Sequence, residues 1–340
     1  MKVSVISGVH SEIDSTRGVG ANNSELFKAV EKINNKGQIE FVSDPKKADL
    51  THYTKFNPFF VSLPFSKPSK KIVLTIHDLT MLVYPDHYKS GIRGSIKFLI
   101  NKFLIKKNVD HIITITETSK KDICRFLKID PSKISVIYLA AKSVMKKLDE
   151  GSWKEETRKK FNLPDKFVLF DHGVNYNKNL PTLIKACRIA KVPLAIVGKE
   201  TENIGKLDLN HPELAHLKGV DFSGVHKLGF VSDEDLNKLF NIASVCVEPS
   251  YYEGFGMPVI EAMKVGCPVI ASQTQALVEI GDKACVYFNP HDEKELAEKI
   301  KLVLKDKKIR QEYINKGYEQ AKKYSWEKAA KETLDVYKNI

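Results

Sequence analysis

Residues 246–272 read C-V-E-P-S-Y-Y-E-G-F-G-M-P-V-I-E-A-M-K-V-G-C-P-V-I-A-S, and their signals run strand, loop, helix, strand. The short β-branched run at 244–247 must stop at Pro249, which has no N–H to give a sheet ladder. Gly254 and Gly256 free the following loop to take positive φ or to let its backbone approach a ligand closely. Pro258 suits the first position of a helix, Gly266 its end, and Pro268 forbids its continuation. Two carboxylates stand in this frame: Glu253 in the loop, and Glu261 in what the pattern predicts as the first helical turn. A helix N-terminus offers unpaired N–H groups and the positive end of a dipole. A carboxylate there is expected to stay ionised and accept hydrogen bonds, which vicinal sugar hydroxyls can donate. The same N–H groups, with those of the glycine loop, suit phosphate oxygens. Either glutamate alone also reads as an ordinary acidic first turn.

Around this stretch, the 340 residues are too many for one average core and fit two domains. An apolar share of 42% with 28% charge is that of a soluble globular chain. No segment nears the ~20 apolar residues of a membrane span, and Met1 opens directly into K-V-S-V-I-S, so a cytoplasmic protein without a signal peptide is expected. Cys124, Cys187, Cys246, Cys267 and Cys285 stand singly, which argues against a disulfide framework or a zinc site. The net charge of +12 asks for an anionic partner: nucleic acid, an acidic membrane face or a phosphorylated substrate. No helix-turn-helix, zinc-finger or aromatic RNA-binding pattern is present, so nucleic acid is not expected.

In chain order, residues 2–7 predict a strand, 8–20 a polar loop bearing glycines, and 24–36 a helix with Ser24 as N-cap. Further strands are predicted at 39–43, 50–53 and 72–76. The last leads into T-I-H-D-L and sets His77 and Asp78 beyond a strand's carboxyl end, where ligands bind in open α/β sheets. A histidine there also serves as a packed structural residue. Residues 56–68, F-N-P-F-F-V-S-L-P-F-S-K-P, read either as core packing under a long connection or as an exposed apolar patch.

From 87 to 109 there is no acid, while Lys89, Arg93, Lys97, Lys102, Lys106 and Lys107 interleave with apolar residues at helical intervals. A core-packed helix explains the apolar stripe but not the missing acids. A basic amphipathic helix lying on an anionic membrane surface explains both. After a charged run at 142–160 the pattern restarts with a strand at 167–170, the loop D-H-G-V-N-Y-N-K-N and a helix.

The string E-G-F-G-M-P-V-I-E-A-M with G-C-P-V-I-A-S resembles the glutamate-pair signature of family 4 glycosyltransferases, which are retaining, nucleotide-sugar-dependent enzymes. The resemblance implies the α/β GT-B fold: two Rossmann-like domains facing a central cleft. Residues 1–145, completed by a terminal helix at 325–340, would take the acceptor, and 146–324 the nucleotide sugar. It further implies that Glu261 accepts ribose hydroxyls, that Glu253 and the N–H groups of Gly254, Phe255, Gly256 and Met257 face sugar and diphosphate, and that Lys178 neutralises the departing diphosphate. T-I-H-D-L carries over as a sugar contact at His77. Gly18 and Gly20 match the first glycine loop beside the donor phosphates; Arg17 would face the same place or be a solvated loop charge.

One departure stands out: Gly173 occupies the position upstream of Lys178 where the family has arginine. Asp233 and Asp235 spell the motif of metal-dependent glycosyltransferases, but acids in a first helical turn have a sufficient structural cause and that motif belongs to another fold class. Neither metal nor cofactor is expected, the nucleoside-diphosphate sugar being the donor substrate. The expected activity is retaining hexosyl transfer to a glycan or lipid-linked acceptor in cell-surface polysaccharide or glycolipid synthesis. The alternative is a non-catalytic nucleotide-sugar-binding or membrane-associated partner protein.

Overall fold

The computed structural model describes residues 1–6, 18–34, 37 and 39–340. The chain forms two compact units, Met1–Ala140 with Tyr324–Ile340, and Ala141–Lys323. The change of unit comes at Ala140 and not at 145, ahead of the charged run.

Unit 1 holds β1 (Lys2–Ile6), β2 (Glu40–Phe41), β3 (Leu50–Tyr53), β4 (Lys71–Thr75), β5 (His111–Thr114) and β6 (Ile134–Val136), in the order β2-β1-β3-β4-β5-β6 with every pair parallel. Parallel strands are covered on both faces and so lack polar alternation. All four residues of β3 are buried. Among them is His52, whose Nδ1 bonds Tyr337 Oη at 2.6 Å and Nε2 bonds Thr75 Oγ1 at 2.7 Å. Burial, with a smaller push from His77, takes His52 down to about 3, so it is neutral at physiological pH. Tyr337 lies on the helix Trp326–Asn339, which packs on the helix Val19–Ile33.

That earlier helix starts five residues before the expected cap at Ser24, with Gly18 at its N-cap position and no side-chain cap. Asn22 and Asn23 are buried inside it, and Asn23 Nδ2 donates to Thr54 Oγ1 at 2.9 Å. This tertiary bond overrides the local preference of serine for the cap. Gly20 is therefore helical, not part of the loop.

The acid-free segment forms the helix Gly91–Asn108. Leu104 and Ile105 are buried, and Asn101 Nδ2 donates to the carbonyls of Pro58 at 2.9 Å and Phe60 at 2.8 Å, fastening the aromatic loop to the helix. Along its outer side Ile92, Ile96, Leu99 and Phe103 are 82, 53, 64 and 60% exposed. Phe60 and Phe65 of the loop are also exposed. The apolar stripe is thus only partly core. Among the described residues no helix is long and apolar enough to cross a membrane.

Unit 2 holds β7 (Val168–Asp171), β8 (Leu194–Val197), β9 (Val225–Gly229), β10 (Val245–Glu248), β11 (Val269–Ser272) and β12 (Cys285–Phe288), in the order β12-β11-β10-β7-β8-β9, again all parallel. The chain steps outward from β7 to β9, then returns to the other side of β7 as β10. The strand order therefore reverses between β7 and β10. In such sheets the crevice beyond the carboxyl ends at the reversal is where ligands bind. Cys187, Cys246, Cys267 and Cys285 are buried in this unit, and burial pushes each thiol up, away from the reactive thiolate.

Candidate active site

Both loops at that reversal are built by asparagines. After β7, Asn177 Nδ2 donates to Tyr252 O at 3.0 Å and its carbonyl accepts from Tyr251 N at 2.8 Å. Asn179, in the left-handed region at φ 53°, donates to Pro249 O at 2.9 Å and Pro290 O at 2.8 Å. These bonds zip the loop before the helix Leu180–Ala190 to the loop after β10. They bring Lys178 Nζ to 2.6 Å from Glu253 Oε1, with the two side chains 17 and 10% exposed.

The next helix, Met257–Val265, has Gly256 at its N-cap with φ 95°. A Cβ there would stand 2.6 Å from Leu277 Cδ2, so only glycine lets the helix start this close to its neighbour. Gly254 and Phe255 are buried and Met257 is half-buried.

Glu261 is not where the sequence puts it. It is the fifth residue of the helix, whose first turn carries no acid. Its side chain is buried, and Oε1 has no hydrogen-bond partner among the described residues. Burial raises its carboxyl to about 8; Lys142 pulls it down, while Asp171 and Asp233 push it further up. The expected permanent carboxylate at a helix end is instead a carboxyl held largely protonated near neutrality. A buried, unpartnered carboxyl oxygen is costly in the free protein and is satisfied by a hydroxyl donor.

Asp233 and Asp235 head the helix Asp233–Ile242, where Ser232 Oγ accepts from Asp235 N at 3.1 Å. Asp233 pairs with Lys142 at 2.6 Å and Asp235 with Lys160 at 2.7 Å. Each acid of the D-x-D string is held by its own lysine.

Two neighbouring residues escaped the sequence reading. Glu248, the last residue of β10, is fully buried; its Oε2 is hydrogen-bonded to His172 Nε2, and its Oε1 accepts from Ser250 Oγ at 2.6 Å. Burial alone would push this carboxyl up, but His172, Lys178 and Ser250 together hold it below its ordinary range. The signal was in V-C-V-E: an acid closing an apolar strand needs a buried partner. One atom each from His172, Glu248 and Glu253 lies within 4.8 Å of the others, near enough to share an ion. In this structure His172 is hydrogen-bonded to Glu248, and Glu253 to Lys178.

In unit 1, His77 lines a hollow of about 180 Å³ together with Val19, Lys55, Phe56, Asn57 and Thr80. Its Nε2 has no hydrogen-bond partner among the described residues. Burial lowers its pKa despite the opposing pull of Asp78 and a bond to the Thr54 backbone. Asp78 does not hydrogen-bond the ring; its carboxylate accepts from Thr80 N at 2.9 Å and Thr80 Oγ1 at 2.6 Å. Gly18 sits at the helix start with φ 60°, and Arg17 lies outside the described residues.

The chain is similar to known proteins in sequence and in fold. Residues 152–320 match the family of glycosyl transferases group 1, and residues 24–141 match glycosyltransferase family 4. The chain is 26% identical over 290 residues to the serotype-specific mannosyltransferase WbdA of Escherichia coli, covering 83% of this chain and 35% of that protein. It therefore spans about a third of the length of the first curated relatives it matches. It is 28% identical over 276 residues to the Escherichia coli O-antigen chain mannosyltransferase B, covering 79% of this chain and 70% of the relative. The structure of Anabaena Alr3699/HepE in complex with UDP and glucose superposes with a TM-score of 0.74 at 15% identity, covering 100% of this chain and 99% of that one, and so shares the GT-B fold. With both halves of the chain matched and the two parallel sheets in place, the chain belongs to glycosyltransferase family 4.

Proposed function

We propose that the protein is a retaining, metal-independent hexosyltransferase that takes its sugar from a nucleoside diphosphate and gives it to a glycan or lipid-linked acceptor in cell-surface polysaccharide synthesis. The observation that carries this reading is the buried, unpartnered Glu261 oxygen, which accompanies the Lys178–Glu253 pair among the groups of unit 2. Ribose hydroxyls donate to Glu261. The N–H groups from Gly254 to Met257 receive phosphate oxygens, and Lys178 adds a cation. Breaking the bond from the sugar carbon to phosphate places negative charge on the leaving oxygen, and fixed donors there lower the barrier. The acceptor oxygen attacks the same face, its bond to carbon forms as the phosphate bond breaks, and its proton passes to the departing phosphate. His77, unpartnered at Nε2, contacts a sugar ring from the hollow it lines. Mannose is the first sugar to test, since two curated relatives are mannosyltransferases.

A melting panel with uridine, guanosine and adenosine diphosphates, each with and without chelator, tests the site. One base is expected to add about 2.7 kcal/mol at a hundredfold excess over Kd, a rise of roughly 5–10 °C, unchanged by chelator. No shift with any base sinks the reading. Binding without transfer to any acceptor favours the non-catalytic partner protein.

The helix Gly91–Asn108 suggests a peripheral site of action on the cytoplasmic face of an anionic membrane. Its exposed Ile92, Ile96, Leu99 and Phe103 are accompanied by cations and no acid, and Lys97 stacks over the Phe60 ring at 5.1 Å. Changing those four residues to serine is expected to weaken binding to phosphatidylglycerol vesicles at least ~100-fold, with the melting temperature unchanged. Equal sedimentation of variant and parent with the vesicles rules the surface out.

A further inference from the structure

The family's missing arginine leaves a charge problem at the proposed nucleotide site. Lys178 faces two carboxylates, Glu253 at 2.6 Å and the fully buried Glu248 that senses its charge, so a lining of these three groups is net negative. A diphosphate is repelled by such a lining. Gly173 itself supplies no charge; a Cβ there would stand 3.0 Å from Asn175 Oδ1 and 3.6 Å from Glu200 Oε2.

The adjacent residue supplies what is missing. His172 leaves the end of β7 with its backbone N–H on Val197 O at 3.1 Å, its ring against Phe170, and Nε2 on the Glu248 carboxylate. The parallel register of β7 and β10, Val245 with Val168 and Cys246 with Leu169, brings Glu248 beside the end of β7. Nδ1 is not spent on any described residue. A carboxylate bound to one ring nitrogen fixes the ring's orientation and leaves the other nitrogen for a ligand.

Resting on the proposed nucleotide site, we propose that His172, as an imidazolium held by Glu248, is the second cation of the diphosphate site and takes the place of the absent arginine. His172 touches a phosphate oxygen through Nδ1–H; Glu248 is a positioning residue acting through it. The groups shown near the ring are Glu248 on β10, bonded to Nε2, and Glu253 after it, while Lys178 acts on Glu248 through its charge. Glu261 also titrates in this unit, so the telling quantity is the ratio of parent to variant affinity rather than the parent's profile alone.

The experiment is calorimetric titration of the full chain with uridine and guanosine diphosphates between about pH 5.5 and 8.5, where an imidazole titrates. His172→Gln should bind the preferred nucleotide about 10- to 100-fold less tightly at low pH, the worth of a charge-assisted hydrogen bond, and the ratio should shrink towards one at high pH. His172→Arg should keep tight binding across the range. Glu248→Gln, checked for an intact melting transition, should move the pH edge downward, which a purely structural residue would not do. A parent-to-variant ratio independent of pH, or parent binding that needs a divalent metal and is lost with chelator, overturns the assignment of His172. Should the parent bind no nucleoside diphosphate at any pH, the nucleotide site itself fails, and the two failures are told apart.

Discussion

Lys178→Ala is expected to lower turnover by roughly 10²- to 10³-fold, the usual loss when one preorganised group facing developing charge is removed. The assay is slow hydrolysis of the donor, which needs no acceptor. The same change strands Glu253, whose side chain is 10% exposed and 2.6 Å from the lost ammonium. Removing one partner of a nearly buried pair costs about 3 kcal/mol of stability. These two effects separate in the double variant Lys178→Ala with Glu253→Gln. Neutralising the stranded carboxylate should recover most of the melting temperature and leave turnover low. If donor hydrolysis returned along with stability, Lys178 would be a structural lysine and its place in the reaction would go to another group.

The second large effect belongs to Glu261, and its sign follows from burial. A carboxyl raised from 4.5 to about 8 in the folded chain favours folding while it is protonated. That contribution is whole below the unfolded value and is lost as pH climbs through the folded one. Glutamine never ionises, so Glu261→Gln should melt several degrees above the parent at about pH 8.5 and close to it at about pH 4.5. Nucleotide affinity should move the other way. Ribose hydroxyls donate more strongly to a carboxylate than to a neutral carboxyl or amide, so parent affinity should rise towards pH 8 and the variant should bind about tenfold more weakly there. A more stable protein that binds less well is the mark of a group kept unsatisfied for its ligand. Unchanged affinity would leave Glu261 a buried acid without a part in the site.

The sequence was most informative where the chemistry is local. Gly256, Pro258 and Gly266 bound their helix because positive φ and a missing N–H act within a residue or two. The acid-free run at 87–109 left core packing and a membrane surface both open, and only the structure shows Ile92, Ile96, Leu99 and Phe103 exposed. Depth was harder to read. Whether Glu261 stands in the first turn or just past it depends on which residue starts the helix, and a single step turns an exposed carboxylate into a buried carboxyl. The first helix began early for a similar reason: the bond from Asn23 to Thr54, 31 residues away, outweighed the local claim of Ser24. Pairs made by strand adjacency were hidden altogether. His172 and Glu248 are 76 residues apart and Lys178 and Glu253 75 apart, and only the insertion of β10 beside β7 brings each pair together.

The helix Trp326–Asn339 closes unit 1 from the far end of the chain, seating Tyr337 on His52 across 285 residues. Residues emerge from the ribosome in order, so unit 1, begun before unit 2, is completed after it. Residues 141–323, contiguous in sequence, can finish their own core while His52 and the helix Val19–Ile33 still await their cover. For that interval residues 1–140 expose an apolar seam that belongs to the helix Trp326–Asn339, and this is the surface a chaperone would have to guard.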